Sequence, residues 1–546
     1  MSVLAAAPPP LRWWGWGERD VEVPDGLASF LRDELGAGDQ VVCRAPGMDD
    51  VELPEPSLPD ALRRRLVTAV GSANVRTDRE ERIRHAAGRS YIDLVELRSG
   101  RIDAAPDAVV HAGSAKEVLA VIRACADLRC AVVPFGGGTS VVGGVSPARG
   151  GCEAVISLDL GRLDGLGEID SVSRTVALGA GMRGPRIEGE LSARGLTLGH
   201  FPQSFEYATA GGFAATRSAG QASTGYGRFD DLVRGLVCET PSGEITLRAE
   251  PPSATGPSLL QLLVGSEGAF GVITEVTVHV WPRPVWRRYA GWSFPDLESG
   301  TAALRELAKT RQLPDVARLS DPEETRVSLS MAHGGLAELA RNYLRARGHA
   351  KGCLAIFGWE GSGAQVGSRM RLAMPALRRH GAVALGAAPA RAWLRDRFRA
   401  PYLRDALLDR QILAETLETA APWSLLGDVR RAVVEALTAA LAHSGTRSII
   451  GCHVSHVYPD GASLYFTVLA RQSDDGKVDQ WVTAKRAATD SLLAAGGTLS
   501  HHHGVGMDHA SWLDHEAGHV GIAALRSLKS SLDPAGVMNP GKLLMS

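Results

Sequence analysis

Three short glycine-rich segments between Pro134 and Gly271 constrain this chain more than any other feature. The first, PFGGGTS, begins at Pro134 directly after the apolar run AVV. The second combines PQSFEYATAGG from Pro202 with TRSAG from Thr216, and the third, GSEGAFG, begins at Gly265. Glycine has no Cβ and adopts positive φ readily, so its backbone N–H groups can approach an anion closely. The segments therefore predict an anion-binding surface built from loops.

The spacing of the glycines separates this surface from two common nucleotide sites. The first segment is not G-x-G-x-x-G, because position 141 is Val, and this excludes a Rossmann-type crevice. It is not a P-loop, because no Gly-Lys-Ser or Gly-Lys-Thr follows it. A single glycine triplet after a strand is typical of a tight turn. Three such segments in order indicate one extended ligand with a phosphate-bearing middle, and a flavin dinucleotide has this form.

The composition narrows the class of protein. A chain of 546 residues is too long for one core, so two or three domains are expected. A net charge of -2 provides no field that attracts nucleic acid, and no nucleic-acid partner is expected. The seven cysteines are scattered along the chain, and no two of them form a CxxC motif. This pattern predicts reduced thiols and a cytoplasmic location. No apolar run is long enough to cross a membrane, and the N-terminal MSVLAAAPPP lacks the basic segment of a signal peptide.

Hydrophobic periodicity predicts mixed helix and strand. The predicted helices lie at 60–70, 115–126, 185–195, 297–309, 366–379, 392–410 and 426–443. The predicted strands lie at 131–134, 154–158, 175–178, 272–280, 353–359, 448–457, 463–469 and, as an extended segment, 496–499. The turn YPDG at 458–461 separates two of these strands, and Pro282 and Pro284 mark a domain boundary.

The order and spacing of the three glycine-rich segments resemble the FAD-binding domain of the vanillyl-alcohol-oxidase family, also called the PCMH type. The resemblance covers 102–283 and implies FAD as the cofactor, with its pyrophosphate at the first segment. No His or Cys lies within 134–144, so noncovalent binding is expected. The residues that this resemblance assigns to FAD are Pro134, Phe135, Gly136, Gly137, Gly138, Thr139, Ser140, Gln203, Ser204, Phe205, Glu206, Tyr207, Ala208, Thr209, Thr216, Arg217, Ser218, Ala219, Gly265, Ser266, Glu267, Gly268, Ala269, Phe270 and Gly271.

Further stretches resemble one branch of this family, the alkyl-dihydroxyacetone-phosphate synthases, over nearly the whole chain. These stretches are RWWGWG from Arg12, YLRD from Tyr402, ETLET from Glu415, SHVY from Ser455 and HHHGVG from His501. That family exchanges the acyl chain of acyl-dihydroxyacetone phosphate for a fatty alcohol in ether-lipid synthesis. The resemblance implies a lipid substrate, peripheral contact with a membrane surface and a homodimer.

The expected fold class is α+β. Residues 1–101 are expected to form a helical N-terminal arm and 102–283 the two-part FAD-binding domain. Residues 284–499 are expected to form an α+β cap domain that binds substrate, and 500–546 a C-terminal segment that returns to the flavin site.

The run His501, His502 and His503 is the main candidate for proton transfer, because histidine exchanges protons near neutral pH. In an extended segment His501 and His503 would face one way and His502 the other, so at most two would address one cavity. A solvated histidine loop, or core histidines with satisfied hydrogen bonds, explains the pattern alone equally well. The resemblance adds Tyr465 as a catalytic residue and Arg404 and Arg318 as substrate-binding residues. A guanidinium suits bidentate contact with phosphate, although most arginines form surface ion pairs.

The chain departs from the resembled branch after Gly506. The synthases continue with a Lys and then, two residues on, an Arg, whereas this chain has Met507-Asp508-His509. Two positive charges are missing and one negative charge is added, which bears directly on a phosphate-bearing substrate.

Two metal hypotheses and two rival functions remain open at this stage. The segment HEAGH at 515–519 spells the zinc-protease motif H-E-x-x-H, but such a match also arises by chance, and no metal ligand is expected. Some related 2-hydroxy-acid dehydrogenases bind a divalent ion through histidines near the His501 run. The rival enzyme is an FAD-linked oxidase or dehydrogenase of a 2-hydroxy acid or alcohol. A lipid- or flavin-binding protein without turnover is the other alternative, although it would have had little reason to keep Tyr465 and three histidines.

Overall fold

The computed structural model describes residues 11–17, 21–37, 41–331 and 342–545. The signal-peptide prediction falls on 1–10, outside the described residues. The helices are α1 Asp25–Leu35, α2 Asp60–Val70, α3 Arg79–Arg84, α4 Tyr91–Ser99, α5 Ala115–Asp127, α6 Gly184–Ser192, α7 Ala210–Ala215, α8 Ser223–Tyr226, α9 Phe229–Leu232, α10 Leu259–Leu263, α11 Leu297–Lys309, α12 Pro322–Ser330, α13 Gly363–Arg379, α14 Ala388–Asp396, α15 Ala400–Leu408, α16 Leu426–His443, α17 Lys477–Ala494 and α18 Leu513–Leu532.

The strands form three main sheets. They are β1 Val75–Arg76, β2 Ala108–His111, β3 Cys130–Phe135, β4 Ala154–Asp159, β5 Leu166–Asp170, β6 Thr175–Gly179, β7 Leu196–Thr197, β8 Val233–Thr240, β9 Gly243–Leu247, β10 Val272–His279, β11 Trp281–Pro282, β12 Trp286–Phe294, β13 Val316–Ser320, β14 Cys353–Gly361, β15 Val383–Gly386, β16 Ile412–Pro422, β17 Ser448–Val457 and β18 Gly461–Arg471. Strands β7 and β11 pair separately as a two-stranded ribbon.

The first sheet has four strands in the order β1-β2-β4-β3, and β4 runs parallel to both β2 and β3. Its apolar residues, among them Val110, Val132 and Ile156, pack against α2 and α5. The first glycine-rich segment directly follows β3. It therefore lies at the carboxyl ends of parallel strands, where open α/β sheets bind ligands.

The second sheet is antiparallel, with five strands in the order β5-β6-β10-β8-β9. The second glycine-rich segment contains α7, and Thr209 accepts the Gly212 N–H as its N-cap. The third segment lies between α10 and β10. The second and third segments are anchored by apolar residues that pack in the core of this sheet, such as Phe213 and Phe270.

The third sheet is antiparallel and has seven strands in the order β15-β12-β14-β13-β17-β18-β16. Helices α11, α13, α16 and α17 cover one of its faces, and the largest hydrophobic cluster lies between them. The α+β fold class with a two-part first half is confirmed.

The N-terminal residues distribute over both halves of the molecule. Helix α2 packs on the first sheet, and β1 pairs with β2. Helix α1 packs instead against β16, β17 and β18 through Leu27 and Leu31. The domain bounds 1–101, 102–283, 284–499 and 500–546 stay predictions.

Most predicted elements are confirmed within a few residues, including the 297–309 and 426–443 helices. The 392–410 stretch contains two helices, α14 and α15, each with proline in its first turn. The prediction of an extended segment at 496–499 is wrong. The chain turns there after α17, and Gly496 has a φ of 84°. Among the described residues, no helix is long and apolar enough to cross a bilayer.

A cluster of two histidines and two carboxylates closes the carboxyl end of the first sheet. His111 Nδ1 lies 3.4 Å from Asp159 Oδ1, and His111 Nε2 lies 3.6 Å from Glu81 Oε2. His85 Nε2 lies 3.1 Å from Asp159 Oδ2, and its ring packs on Phe135. Hydrogen bonds to Asp159 and Glu81 raise the pKa of His111 to about 9.

We expect His111→Gln to lower the melting temperature most near pH 6 and progressively less toward pH 10. The stability that a raised pKa supplies is complete below the unfolded value of 6.5 and is lost as the pH rises through about 9. Circular dichroism melts across this range measure the effect. The exposed His519→Gln is the matched control, and a His111→Gln difference that does not change with pH would contradict the assignment.

Candidate active site

One cavity of about 510 Å³ runs between the glycine-rich loops and the open face of the third sheet. In β18, Tyr465, Thr467 and Leu469 line this cavity, whereas Phe466 and Val468 belong to the core on the other face. This alternation follows from the two-residue period of a strand. Every second residue of β18 therefore contributes to one wall of the cavity, which the third sheet forms.

Three polar side chains lie in one row across this sheet. Tyr465 pairs in register with Glu418 of β16 on one side and with His453 of β17 on the other. The His453 and Tyr465 rings stack with centroids 4.9 Å apart, and Tyr465 stacks on His502 at 5.9 Å. Burial raises the pKa of Tyr465 to about 12, so its phenol is protonated at neutral pH. Tyr465 can therefore donate a proton or a hydrogen bond.

The Glu418 carboxylate organises the histidine run. It accepts the backbone N–H groups of His501 at 2.7 Å, His502 at 3.1 Å and His503 at 2.9 Å, and the Ser500 hydroxyl at 2.8 Å. Burial opposes ionisation, but the nearby imidazoles hold the pKa of Glu418 well below its ordinary value. These hydrogen bonds hold residues 500–503 in a bend around the Glu418 carboxylate.

The expected alternation of the three histidines is wrong because this segment is bent, not extended. His502 and His503 line the cavity although they are adjacent in sequence. His501 is buried behind them and is not among the lining residues. Burial lowers the pKa of both His501 and His503 to about 3, so both rings are neutral near pH 7.

Arg318 is held by a second buried carboxylate. Its Nη2 lies 2.5 Å from Glu324 Oε1, and its Nη1 lies 2.9 Å from His453 Nε2. His453 Nδ1 lies 2.8 Å from the other oxygen of Glu324. Burial opposes ionisation here too, but His453 and Arg318 hold the pKa of Glu324 far below its ordinary value. Arg318 lines the cavity with its charge already paired.

Arg404 also lines the cavity, and its pairing is looser. Its Nη1 lies 3.7 Å from Glu415 Oε2, while Glu415 also accepts the Tyr91 and Thr416 backbone N–H groups. Burial raises the pKa of Glu415. Within the described part of the chain, the buried Arg404 Nε has no hydrogen-bond partner. Arg404 thus keeps donor capacity for a ligand.

The structure gathers most of the predicted FAD residues at the cavity. The predicted residues that line it are Pro134, Phe135, Gly136, Gly137, Gly138, Thr139, Ser140, Gln203, Ser204, Ala208, Thr209, Thr216, Ser218, Ala219, Glu267, Gly268 and Gly271. The others support the loops from behind and are Phe205, Glu206, Tyr207, Arg217, Gly265, Ser266, Ala269 and Phe270. The individual roles of all these residues stay predictions.

The first loop approaches the second so closely that only glycine fits at Gly137. A Cβ there would lie 2.2 Å from the backbone oxygen of Tyr207. At Gly136 it would lie 2.5 Å from Thr209 Oγ1. The loops therefore form a cradle of backbone groups and hydroxyls at the wall of the cavity, and this chemistry fits a flavin dinucleotide with its pyrophosphate at the first loop.

Glu267 of the third loop ties this cradle to the histidine run. Its two carboxylate oxygens accept the N–H groups of Val505 at 2.7 Å and Gly506 at 2.8 Å. Burial raises the pKa of Glu267 to about 7. The segment that carries the histidines is therefore fixed at both ends by buried glutamates.

Sequence reasoning missed several residues of the site. Glu415 and Glu418 lie in the apolar run ILAETLETAAP, where two glutamates in a strand-like segment indicate buried, paired carboxylates. His453 could have been found in the predicted 448–457 strand, but its ring contacts depend on the pairing of β17 with β18. His200 is buried against Ser218, with 3.1 Å between His200 Nε2 and the hydroxyl, and no local pattern marks it.

The H-E-x-x-H segment does not form a zinc helix. Gly518 interrupts α18 with φ 66° and ψ 163°, so His515 and His519 do not share one helical turn. Both histidines are exposed, and Glu516 accepts the Leu499 N–H. This geometry removes the metalloprotease interpretation.

One trio of imidazoles has the spacing of a metal site. Nitrogen atoms of His456, His501 and His502 lie within 4.8 Å of one another. Both nitrogen atoms of His501 already have close partners, Tyr458 and His502. A cation would have to break these hydrogen bonds. The expectation of no metal stays a prediction.

Two family models match the chain. The "FAD binding domain" model matches 106–247, and the "FAD linked oxidases, C-terminal domain" model matches 283–543. Among curated proteins, an alkyldihydroxyacetonephosphate synthase of Dictyostelium discoideum is 30% identical over 98% of this chain and 93% of its own. That of Trypanosoma brucei brucei is 32% identical over 98% of this chain and 92% of its own.

The chain belongs to the alkyldihydroxyacetonephosphate synthase family. A solved synthase structure is 27% identical and superposes with a TM-score of 0.85, over 97% of this chain and 98% of that chain. The family match confirms FAD as the cofactor and agrees with the cradle formed by the glycine-rich loops.

We expect Gly137→Ala to abolish FAD binding, because the new methyl group would meet the Tyr207 carbonyl at 2.2 Å and displace the first loop. The purified wild-type protein should be yellow and should release intact FAD on acid treatment. Absorbance of the released flavin per chain measures both. Gly165→Ala is the matched control, since its Cβ would have no described atom within 4 Å. A Gly137→Ala protein with a full complement of FAD would refute the cradle.

Proposed function

We propose that this protein exchanges the acyl chain of acyl-dihydroxyacetone phosphate for a fatty alcohol and forms the ether bond of ether lipids. One observation carries this proposal. A single cavity joins the flavin cradle, the Tyr465 and histidine cluster, two arginines and an apolar arm. The family relationship supports the same assignment.

The apolar arm suits a hydrocarbon chain. Its walls come from α1, α12 and α15, which contribute Leu27, Val327, Leu403 and Leu407. Met331, at the end of α12, lines the cavity and is 39% exposed, so the arm reaches the surface there. A small, fully polar hydroxy acid would leave this apolar surface unused.

The arginines suit the polar end of such a substrate. Arg318 is held by Glu324, whereas Arg404 retains an unused donor. A guanidinium binds phosphate through paired, charge-assisted hydrogen bonds. We assign Arg404 to the phosphate and Arg318 to the orientation of His453 and the carbonyl region.

The remaining residues handle protons. Bound FAD supplies an electron-accepting ring that stabilises charge on the reacting carbon while one oxygen substituent replaces another. The imidazoles of His502 and His503 accept a proton from this carbon and return one to it, and Tyr465 donates a hydrogen bond to developing oxygen charge. The bond between this carbon and the acyloxy oxygen breaks, the carboxylate leaves with the electron pair, and the alcohol loses its proton as the ether bond forms. One proton is therefore released per turnover.

A second function, oxidation of a 2-hydroxy acid or alcohol, would use the same histidines to deprotonate a hydroxyl. The "FAD linked oxidases, C-terminal domain" match keeps this candidate open. Peripheral membrane contact would suit the long-chain substrates. A homodimer and a cytoplasmic location stay predictions.

An anaerobic assay separates the two functions. We expect acyl-dihydroxyacetone phosphate to bleach the flavin absorbance of the oxidised enzyme, and a fatty alcohol to restore it with formation of ether lipid. D-2-hydroxy acids should leave the spectrum unchanged. Stable bleaching by a hydroxy acid, with no response to the lipid, would establish the dehydrogenase instead.

Replacement of Arg404 tests the phosphate assignment. A charge-assisted contact is worth roughly 1.5–3 kcal/mol, so we expect Arg404→Ala to lower kcat/KM by about tenfold to a hundredfold, mostly through KM. FAD content should not change. Steady-state kinetics with the phosphorylated lipid measure the effect.

Two further variants serve as controls for this experiment. Arg404→Ala/Glu415→Gln removes the carboxylate that the single variant leaves buried without its cation, and should show the same KM defect. Arg410→Ala, which alters an arginine outside the cavity lining, should behave as wild type. Wild-type kinetics for Arg404→Ala would reject the phosphate assignment.

A further inference from the structure

We propose that His501 and Tyr458 form a proton relay that connects His502 in the cavity with the surface turn at 458–461. The proposal deepens the proposed function and rests on it. It gives a role to two side chains that do not line the cavity.

The relay follows from a continuous line of hydrogen-bonding atoms. His502 Nδ1 lies 3.0 Å from His501 Nδ1, and His501 Nε2 lies 2.6 Å from the Tyr458 hydroxyl. The His501 ring has one nitrogen for each neighbour, which is the arrangement that passes protons along a chain. His502 Nδ1 also lies 3.4 Å from Glu418 Oε2. The Glu418 carboxylate fixes the backbone of both histidines, so the line is held in place.

The two ends of the line lie in different environments. His502 lines the cavity, and its ring stacks on Tyr465. Tyr458 is half-buried at the start of the turn whose next residues, Pro459 and Asp460, are exposed. The line therefore runs from the cavity to a partly exposed tyrosine beside a surface turn.

Titratable and charged groups surround both relay residues. Those that act on Tyr458 are Arg228, Asp230 and Asp231, at and within α9. Those that act on His501 are His502, His503, Glu418 and Arg228, and the His456 ring stacks on it at 5.0 Å. Burial and His502 lower the pKa of His501 to about 3, so a proton passes through this ring without being stored there.

The chemistry of the proposed reaction requires such an exit. One C–H proton is removed and one is returned to the same carbon, while the alcohol O–H proton is left over. A lipid-filled cavity offers this proton little water. His501 and His503 do not retain it, because burial lowers the pKa of both rings.

The proton balance of one transfer is complete. His502 takes a proton at Nε2 and passes the proton on its Nδ1 to His501 Nδ1. His501 then passes the proton on its Nε2 to the Tyr458 oxygen, and Tyr458 releases its own proton to water at the turn. All three groups end neutral, with one proton taken from the cavity and one delivered outside.

Hydrogen isotopes test the relay directly. Wild-type enzyme is given unlabelled acyl-dihydroxyacetone phosphate and fatty alcohol in D2O, and mass spectrometry locates deuterium in the ether product. We expect deuterium at the carbon that carries the ether oxygen, because the relay exchanges the abstracted proton with solvent. In Tyr458→Phe and His501→Gln the substrate hydrogen should largely be retained, and kcat should fall on the order of tenfold with unchanged KM.

The variants separate the relay from a structural role. Tyr289→Phe is the matched control, because it also removes a hydroxyl bonded at 2.6 Å, and it should exchange as wild type does. The Tyr458→Phe/His501→Gln double variant should be no worse than the weaker single variant, since both interrupt one line. Ether product with equal deuterium in wild type and both single variants would overturn the relay alone. Failure of the wild type to form ether product would reject the proposed function as well.

Discussion

The architecture of the site depends on the buried carboxylate of Glu418. It projects from β16 and receives four hydrogen bonds from residues 500–503. A buried charge is strongly unfavourable unless its hydrogen-bonding capacity is used. Here the charge is compensated only when the histidine run bends around it, so the carboxylate selects one backbone conformation. That conformation places His502 and His503 against Tyr465 and turns His501 away from the cavity.

The same segment also connects the third sheet to the flavin cradle. Beyond the histidines, Val505 and Gly506 donate to Glu267 of the third loop, and Met507 and Asp508 donate their N–H groups to the Val142 carbonyl after the first loop. The reactive side chains are therefore positioned by the elements that also form the cradle. The single segment 500–508 therefore fixes the position of the third sheet relative to the glycine-rich loops.

The sequence predicts the glycine-rich loops and the helices α2, α5, α6, α11, α13 and α16 because their determinants are local. Glycine segments, proline-marked boundaries and apolar periodicity identify α5, β10 and α16 without knowledge of the fold. Strand β16 escapes prediction because Glu415 and Glu418 interrupt its apolar pattern, and both are compatible with burial only through partners distant in sequence. The prediction of which way each of the three histidines faces fails for the same reason. The bend is imposed by Glu418 and not by residues 500–503 themselves.

The missing cations after Gly506 change the charge balance less than the sequence indicates. Lys485 of α17 lies 2.6 Å from Asp508, and both side chains are largely buried, so the added negative charge is neutralised locally. The Lys485 ammonium group is nevertheless already paired with Asp508. Of the two arginines that line the cavity, Arg318 is committed to Glu324. The proposed function therefore assigns recognition of the anionic substrate group mainly to Arg404, and it requires the pairing of Arg404 with Glu415 to loosen when such a group binds.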